Sequence, residues 1–457
     1  MIQIILTWIT AVLENLFFAG IIFGWANIEP VLVKEGYFSE GCVNASTPSN
    51  VTMVTKKFMK CDYQEEIFSL VFVLATSFGL LFNAIVGPAL DYLGIWTVRT
   101  VLINIAAFAL LITGNGSSQV LYFTFPIFHI VGIGLHVTNI QMSNIFHSSR
   151  NVYVASITGA FTAGSLTFLI ISNLYERYNI SFEALFTVYS IIYFSLNFRT
   201  FLLTPRNLAP EVIPDDFGYG YKDLVQIFRK KSDPENENFN TSNSVKEASL
   251  SEFACSMLFI TTVISNSVAN FLYMFYISNF DVLIYSLTGN SERVEFYVSI
   301  FGALLFIGLF LWLLCCATSR LLLDEDVEDR QFKCRLIMMF VGGACTIGMQ
   351  YCASFRSARL QILSMTLHVV GKASFTSSSN THISLVFPAK LFGRLYSVMA
   401  VCEALLLFTQ IPLTFLLEGV LKWNFVGFNS ALTLFSLLVI VLPVYLLYHL
   451  KNKKSSD

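Results

Sequence analysis

The chain has 457 residues, 55% of them hydrophobic and only 13% charged, with 44 phenylalanines and a formal net charge of −2. Soluble domains carry about 25% charged residues, so this composition excludes a soluble globular chain and points to an all-α membrane protein. The lack of a basic excess excludes a nucleic-acid binder, and nine cysteines without a C-x-x-C pair argue against a structural zinc site or a dithiol redox centre.

A hydrocarbon core of about 30 Å needs about 20 apolar residues of helix. On that window the first half gives spans at approximately 4–30, 67–89, 98–114, 119–145, 152–174 and 182–203. The second half gives 252–279, 296–318, 334–353, 359–386, 395–418 and 428–449. Twelve transmembrane helices in two six-helix bundles is the expected architecture. The domains are then 1–203, with an outside loop at 34–66, a polar linker at 204–251, the second bundle at 252–449 and a tail at 450–457. The linker, rich in Asn, Ser, Glu and Lys, reads as disordered or surface-lying.

Loops on the linker side carry about twice as many Lys and Arg as those opposite, which places that side and both termini in the cytoplasm. Acceptor patterns for glycosylation begin at Asn44, Asn50 and Asn179 on the outer side. A fourth outer pattern, at Asn115, sits too close to the membrane to be used, and a fifth, at Asn240, falls in the linker. Cys42 and Cys61, the two cysteines of the outer loop, are expected to pair, with two free thiols as the alternative. The first apolar stretch is too long for a cleavable signal and reads as a retained anchor.

Polar groups at membrane depth cost several kcal/mol unless they face a cavity or a partner. Glu14 and Asn15 lie in the first span, Asn139 and Gln141 in the fourth, and Lys372, Ser378 and Asn380 in the tenth, where hydroxyl and amide residues run almost unbroken from Ser374 to His382. These seven are the candidate substrate contacts. Two other readings stay open: the tenth span is a buried helix whose hydroxyls bond back to its own carbonyls, and Glu14 simply pairs with Lys372. Glu403, in the eleventh span, and four scattered histidines could carry protons. No metal-ligand spacing, nucleophile elbow or phosphate-cradling loop appears, so no metal, cofactor or enzyme activity is expected.

Between the second and third spans the chain reads Gly87-Pro-Ala-Leu-Asp91-Tyr-Leu-Gly94, with Arg99 following. This resembles the inner-gate signature of the major facilitator superfamily, departing from it at Tyr92, where arginine is usual. Thr10 to Phe18, Phe23-Gly24-Trp25, Glu35 to Phe38, Thr138 to Gln141, Asn144 to Phe146, Phe387-Pro388 and Phe392 to Leu395 resemble solute carrier family 43. The resemblance implies a uniporter of the plasma membrane that binds a small organic solute. Its substrates would be purine nucleobases such as adenine, guanine and hypoxanthine, or alternatively large neutral amino acids such as leucine and phenylalanine, taken up without sodium. A proton-coupled symporter and a non-transporting sensor are further alternatives.

Overall fold

The computed structural model describes residues 2–42, 62–210, 217–223, 225, 250–310, 312–322, 326–421 and 424–454. Among the described residues helix is the only regular structure. Ten stretches are continuous and apolar enough to cross a membrane, two fewer than the hydropathy of the sequence suggests, and each difference has a local cause. The second and third spans form one uninterrupted stretch, Glu66–Asn115, reversed at Gly94. That residue holds φ at +76°, a region open to glycine but strained for a side chain. The tenth span, Ala358–Val386, is long enough but too polar to qualify.

The first span is broken. Helix Ile2–Glu14 passes through a π-helical turn at Asn15–Ala19 and a 3₁₀ turn at Ile21–Gly24 before helix Trp25–Lys34 resumes. Tight packing against the fifth span fixes the break: a Cβ on Gly20 would lie 1.9 Å from the Phe161 carbonyl oxygen, and one on Gly164 would lie 2.4 Å from Gly20 Cα. Only backbone fits at that crossing. Irregular backbone at membrane depth persists where it is buried in protein or lines a cavity. The seventh span breaks similarly, at Asn279, between helices Met257–Ser278 and Phe280–Thr288.

The hydroxyl-rich tenth span is buried over most of its length. Ser377, Thr381 and Ser384 donate back to the carbonyls of Ser374, Ser377 and Thr381, so much of its polarity is satisfied within the helix. The start of the linker folds onto the first bundle: Asn144 donates to the Ala209 carbonyl at 3.0 Å, and Trp96 Nε1 to that of Thr204 at 2.9 Å. Most of the remaining linker lies outside the described residues.

The two bundles meet at the end that carries the loops around residues 91 and 390 and part around a wide cavity at the other. At the cavity end of the first bundle the Tyr37 hydroxyl donates to the Thr113 carbonyl at 3.0 Å. Burial, with help from the Glu35 carboxylate, pushes that phenol up to about 12, so it remains a donor.

Candidate functional site

At the closed end, helix Phe392–Phe408 of the eleventh span presents its first-turn amides to the second span. The Asp91 carboxylate accepts from the amides of Gly393 at 2.9 Å and Arg394 at 3.0 Å, and from Arg394 Nε at 3.3 Å. A carboxylate at a helix N-terminus satisfies orphan donors and meets the positive end of the dipole. Tyr92, which replaces the family's usual arginine, lies under the Arg394 guanidinium, 5.4 Å from its carbon. The cation of this gate therefore comes from the other bundle. Gly87 and Gly393 permit the approach: a Cβ on either would sit within 2.2 Å of the other's carbonyl oxygen. Arg150 Nη2 to the Ser384 carbonyl at 2.6 Å, and Asn151 Nδ2 to that of Gln331 at 3.0 Å, close the same end between the fifth span and the second bundle.

At the other end a cavity of about 2180 Å³ opens between the bundles, walled by residues such as Trp25, Tyr63, Asn173, Asp281, Phe301 and Phe415. Its floor includes Phe23, which also lines a separate chamber of about 70 Å³ deeper in the molecule. Phe23 is therefore the partition between vestibule and chamber.

Both halves line this chamber with rings and polar groups. The first bundle supplies Phe23, Phe161 edge-to-face with it at 5.2 Å, His136 stacked on Phe161 at 4.4 Å, and Thr158, whose hydroxyl has no hydrogen-bond partner. The second supplies Lys372, Asn380, Asn270 and Glu403, with Phe375 and Tyr396. Lys372 Nζ lies 3.2 Å from the centroid of Phe23, a cation–π contact, and has no hydrogen-bond acceptor. Asn380 Nδ2 is likewise without a partner. Glu403 accepts from Asn270 Nδ2 at 3.0 Å and, among the described residues, faces no cation within ion-pair distance. Buried unpaired donors and an unpaired carboxylate are costly, and a ligand with matching groups removes that cost.

Only part of the sequence-derived set converges here. Lys372 and Asn380 line the chamber. Asn15 stands one layer behind, its Oδ1 2.7 Å from His136 Nδ1. Gln141 and Ser378 are buried outside the lining. Glu14 is not paired with Lys372: its carboxylate accepts from Arg99, from Arg199 at 2.7 Å and from Asn139 at 2.8 Å, all inside the first bundle. Arg199 also donates to Asn139 Oδ1 at 3.0 Å. Arg99 likewise sits in this buried network and not beside Gly87 and Asp91, and Gly94 packs on Arg206 and Asn207 at the start of the linker. The rings were invisible among 44 phenylalanines. Glu403 carried a signal, a lone acid in an apolar span, that did not by itself tie it to the other contacts.

Cys42 is disulfide-bonded; Cys61, Asn44 and Asn50 lie outside the described residues. Asn179 is exposed at the C-terminal end of the fifth span, in a left-handed conformation.

Known proteins resemble the chain over its full length. The chain is 26% identical to equilibrative nucleobase transporter 1 of Bos taurus, over 98% of the chain and 97% of that protein. It is 24% identical to large neutral amino acids transporter small subunit 3 of Homo sapiens, over 96% and 92% of the two. No protein-family model matches. Two solved structures share the fold. The proton:xylose symporter XylE superposes with a TM-score of 0.64 at 12% identity, over 97% of this chain and 94% of that one. The human organic anion transporter MFSD10 superposes with a TM-score of 0.59 at 13% identity, over 96% and 99%. The chain is thus a multi-pass membrane protein of the major facilitator fold, and the full-length relatives bear out its resemblance to solute carrier family 43. These relatives and neighbours are transporters, not enzymes.

Proposed function

We propose that the chain is a facilitative carrier that moves purine nucleobases across the plasma membrane by alternating access, with both termini in the cytoplasm. The observation that carries this reading is the chamber itself: aromatic rings and unpartnered hydrogen-bonding groups from both bundles line one small cavity between them. A neutral planar base stacks on one of the two perpendicular rings, Phe23 or Phe161, and meets the other at its edge, and its in-plane donors and acceptors meet Glu403, Lys372 and Asn380. A solute bound this way bridges the bundles and favours their closure over it, which is how occupancy couples to the change of access. The full-length similarity to a nucleobase transporter supports the same substrate class.

One observation favours a second reading. Lys372 and Glu403 place an amine and a carboxyl group in one chamber, which suits the carboxylate and ammonium of a large neutral amino acid, the class named for the other relative. Uptake of labelled adenine and labelled leucine, at two pH values with and without sodium, separates the two. Saturable adenine flux indifferent to sodium and pH is the expected result. Leucine flux competed by phenylalanine selects the second reading. Flux of neither, with the protein at the surface, overturns both.

A further inference from the structure

The eighth and ninth spans bring two thiols together where the sequence shows no redox motif. Cys315, in helix Trp312–Leu321, and Cys334, in helix Val327–Ala353, stand with their sulfurs 3.7 Å apart. Both are unoxidised and buried, at 3% and 1% exposure. Bond formation needs the sulfurs to approach by only about 1.7 Å, toward a bond of about 2.05 Å.

What seals the pair is a residue set from the other bundle. Ala155 and Val152 of the fifth span pack over Cys315, Cys334 and Met338. One helical turn away, the Asn151–Gln331 contact closes the inner end. Opening that end withdraws the fifth span from the second bundle and uncovers both sulfurs on the side the inner face then opens to.

We propose that Cys315 and Cys334 form a thiol–disulfide site whose access is controlled by the inner gate, its reaction partner being a low-molecular-weight disulfide. The Cys334 thiolate attacks one sulfur of glutathione disulfide and releases one glutathione; the Cys315 thiolate then attacks the Cys334 sulfur of the mixed disulfide and releases the second. Two electrons pass from the protein thiols to one glutathione disulfide, and the two thiol protons leave with the two glutathiones. The control of access rests on the alternating-access reading above; the juxtaposition of the thiols does not.

The test uses the full chain in open membrane fragments exposed to glutathione disulfide. Free thiols are then blocked, the protein is digested without reduction, and the disulfide-joined and the blocked Cys315 and Cys334 peptides are quantified by mass spectrometry. The expected result is a joined Cys315–Cys334 peptide, absent in Cys334→Ser, that forms slowly in the wild type. Asp91→Asn, which weakens charge-assisted bonds across the gate, should form it on the order of tenfold faster, and Gly87→Val, which wedges the same contact open, should do likewise. No joined peptide in any variant while exposed Cys255 reacts overturns the site. Equal rates in wild type and both gate variants overturn the gating. Gated oxidation in a protein that moves neither adenine nor leucine leaves this site standing and removes the substrate assignment instead.

Discussion

Glu14 holds together the first bundle, and its removal tests whether that role or substrate contact explains an acid at membrane depth. The carboxylate accepts from two guanidiniums and one amide, and the Glu14 and Arg99 side chains are fully buried. Glu14→Ala leaves both cations without their counter-charge. Breaking a buried ion pair from one side costs about 3–5 kcal/mol. Here the loss falls at the lower end, because Arg99 keeps Thr138 at 2.8 Å and Thr200 at 3.1 Å, and Arg199 keeps Thr10 at 3.0 Å and Asn139 Oδ1 at 3.0 Å. For a cooperative unit of about 200 residues, ~3 kcal/mol lowers Tm by about 10 °C. Glu14→Gln keeps an oxygen acceptor without the charge and should lose about half as much. The assay is the temperature at which detergent-extracted protein leaves its monodisperse size-exclusion peak. Glu14→Ala melting within about 2 °C of wild type would refute the network's structural role. A fully stable Glu14→Gln that has lost uptake would return Glu14 to the substrate site.

Other substitutions probe the chamber, the gate and the topology. Lys372→Ala should abolish uptake of the transported solute with surface expression retained, and wild-type uptake by that variant would remove Lys372 from the site. Gly87→Val places its Cβ 2.1 Å from the Gly393 carbonyl oxygen and 2.0 Å from the Ser397 hydroxyl; the inner gate should fail to close, and uptake should fall at least tenfold while bundle-internal stability is unchanged. Asn179→Gln should remove one glycan step in gel mobility if the outer end faces the glycosylating compartment, and an unchanged band after glycosidase controls would count against the assigned orientation.

Much of the architecture was legible because lipid imposes a one-dimensional constraint: each crossing must satisfy its own backbone and expose apolar residues along its length. Hydropathy therefore located the spans, including the second and third, which run together through Gly94, and the tenth, a helix more polar than the rest. The gate motif was legible in part. Gly87 and Asp91 lie against the first turn of the eleventh span, while the cation answering Asp91 is Arg394, about three hundred positions away.

The sequence by itself determined that the chain crosses a membrane many times, in two halves, with polar groups stranded at depth. Tertiary structure decided which of those groups face one another. Glu14 went to Arg99 and Arg199 instead of Lys372 because helix packing, not sequence spacing, sets distances between spans. Lys372 and Glu403 remained for the chamber for the same reason. Two cysteines 19 positions apart became neighbours only through the packing of the eighth span against the ninth. Pairing energies fall off within a few ångströms, so the chemistry of this protein is written in contacts between helices, which no single helix's pattern contains.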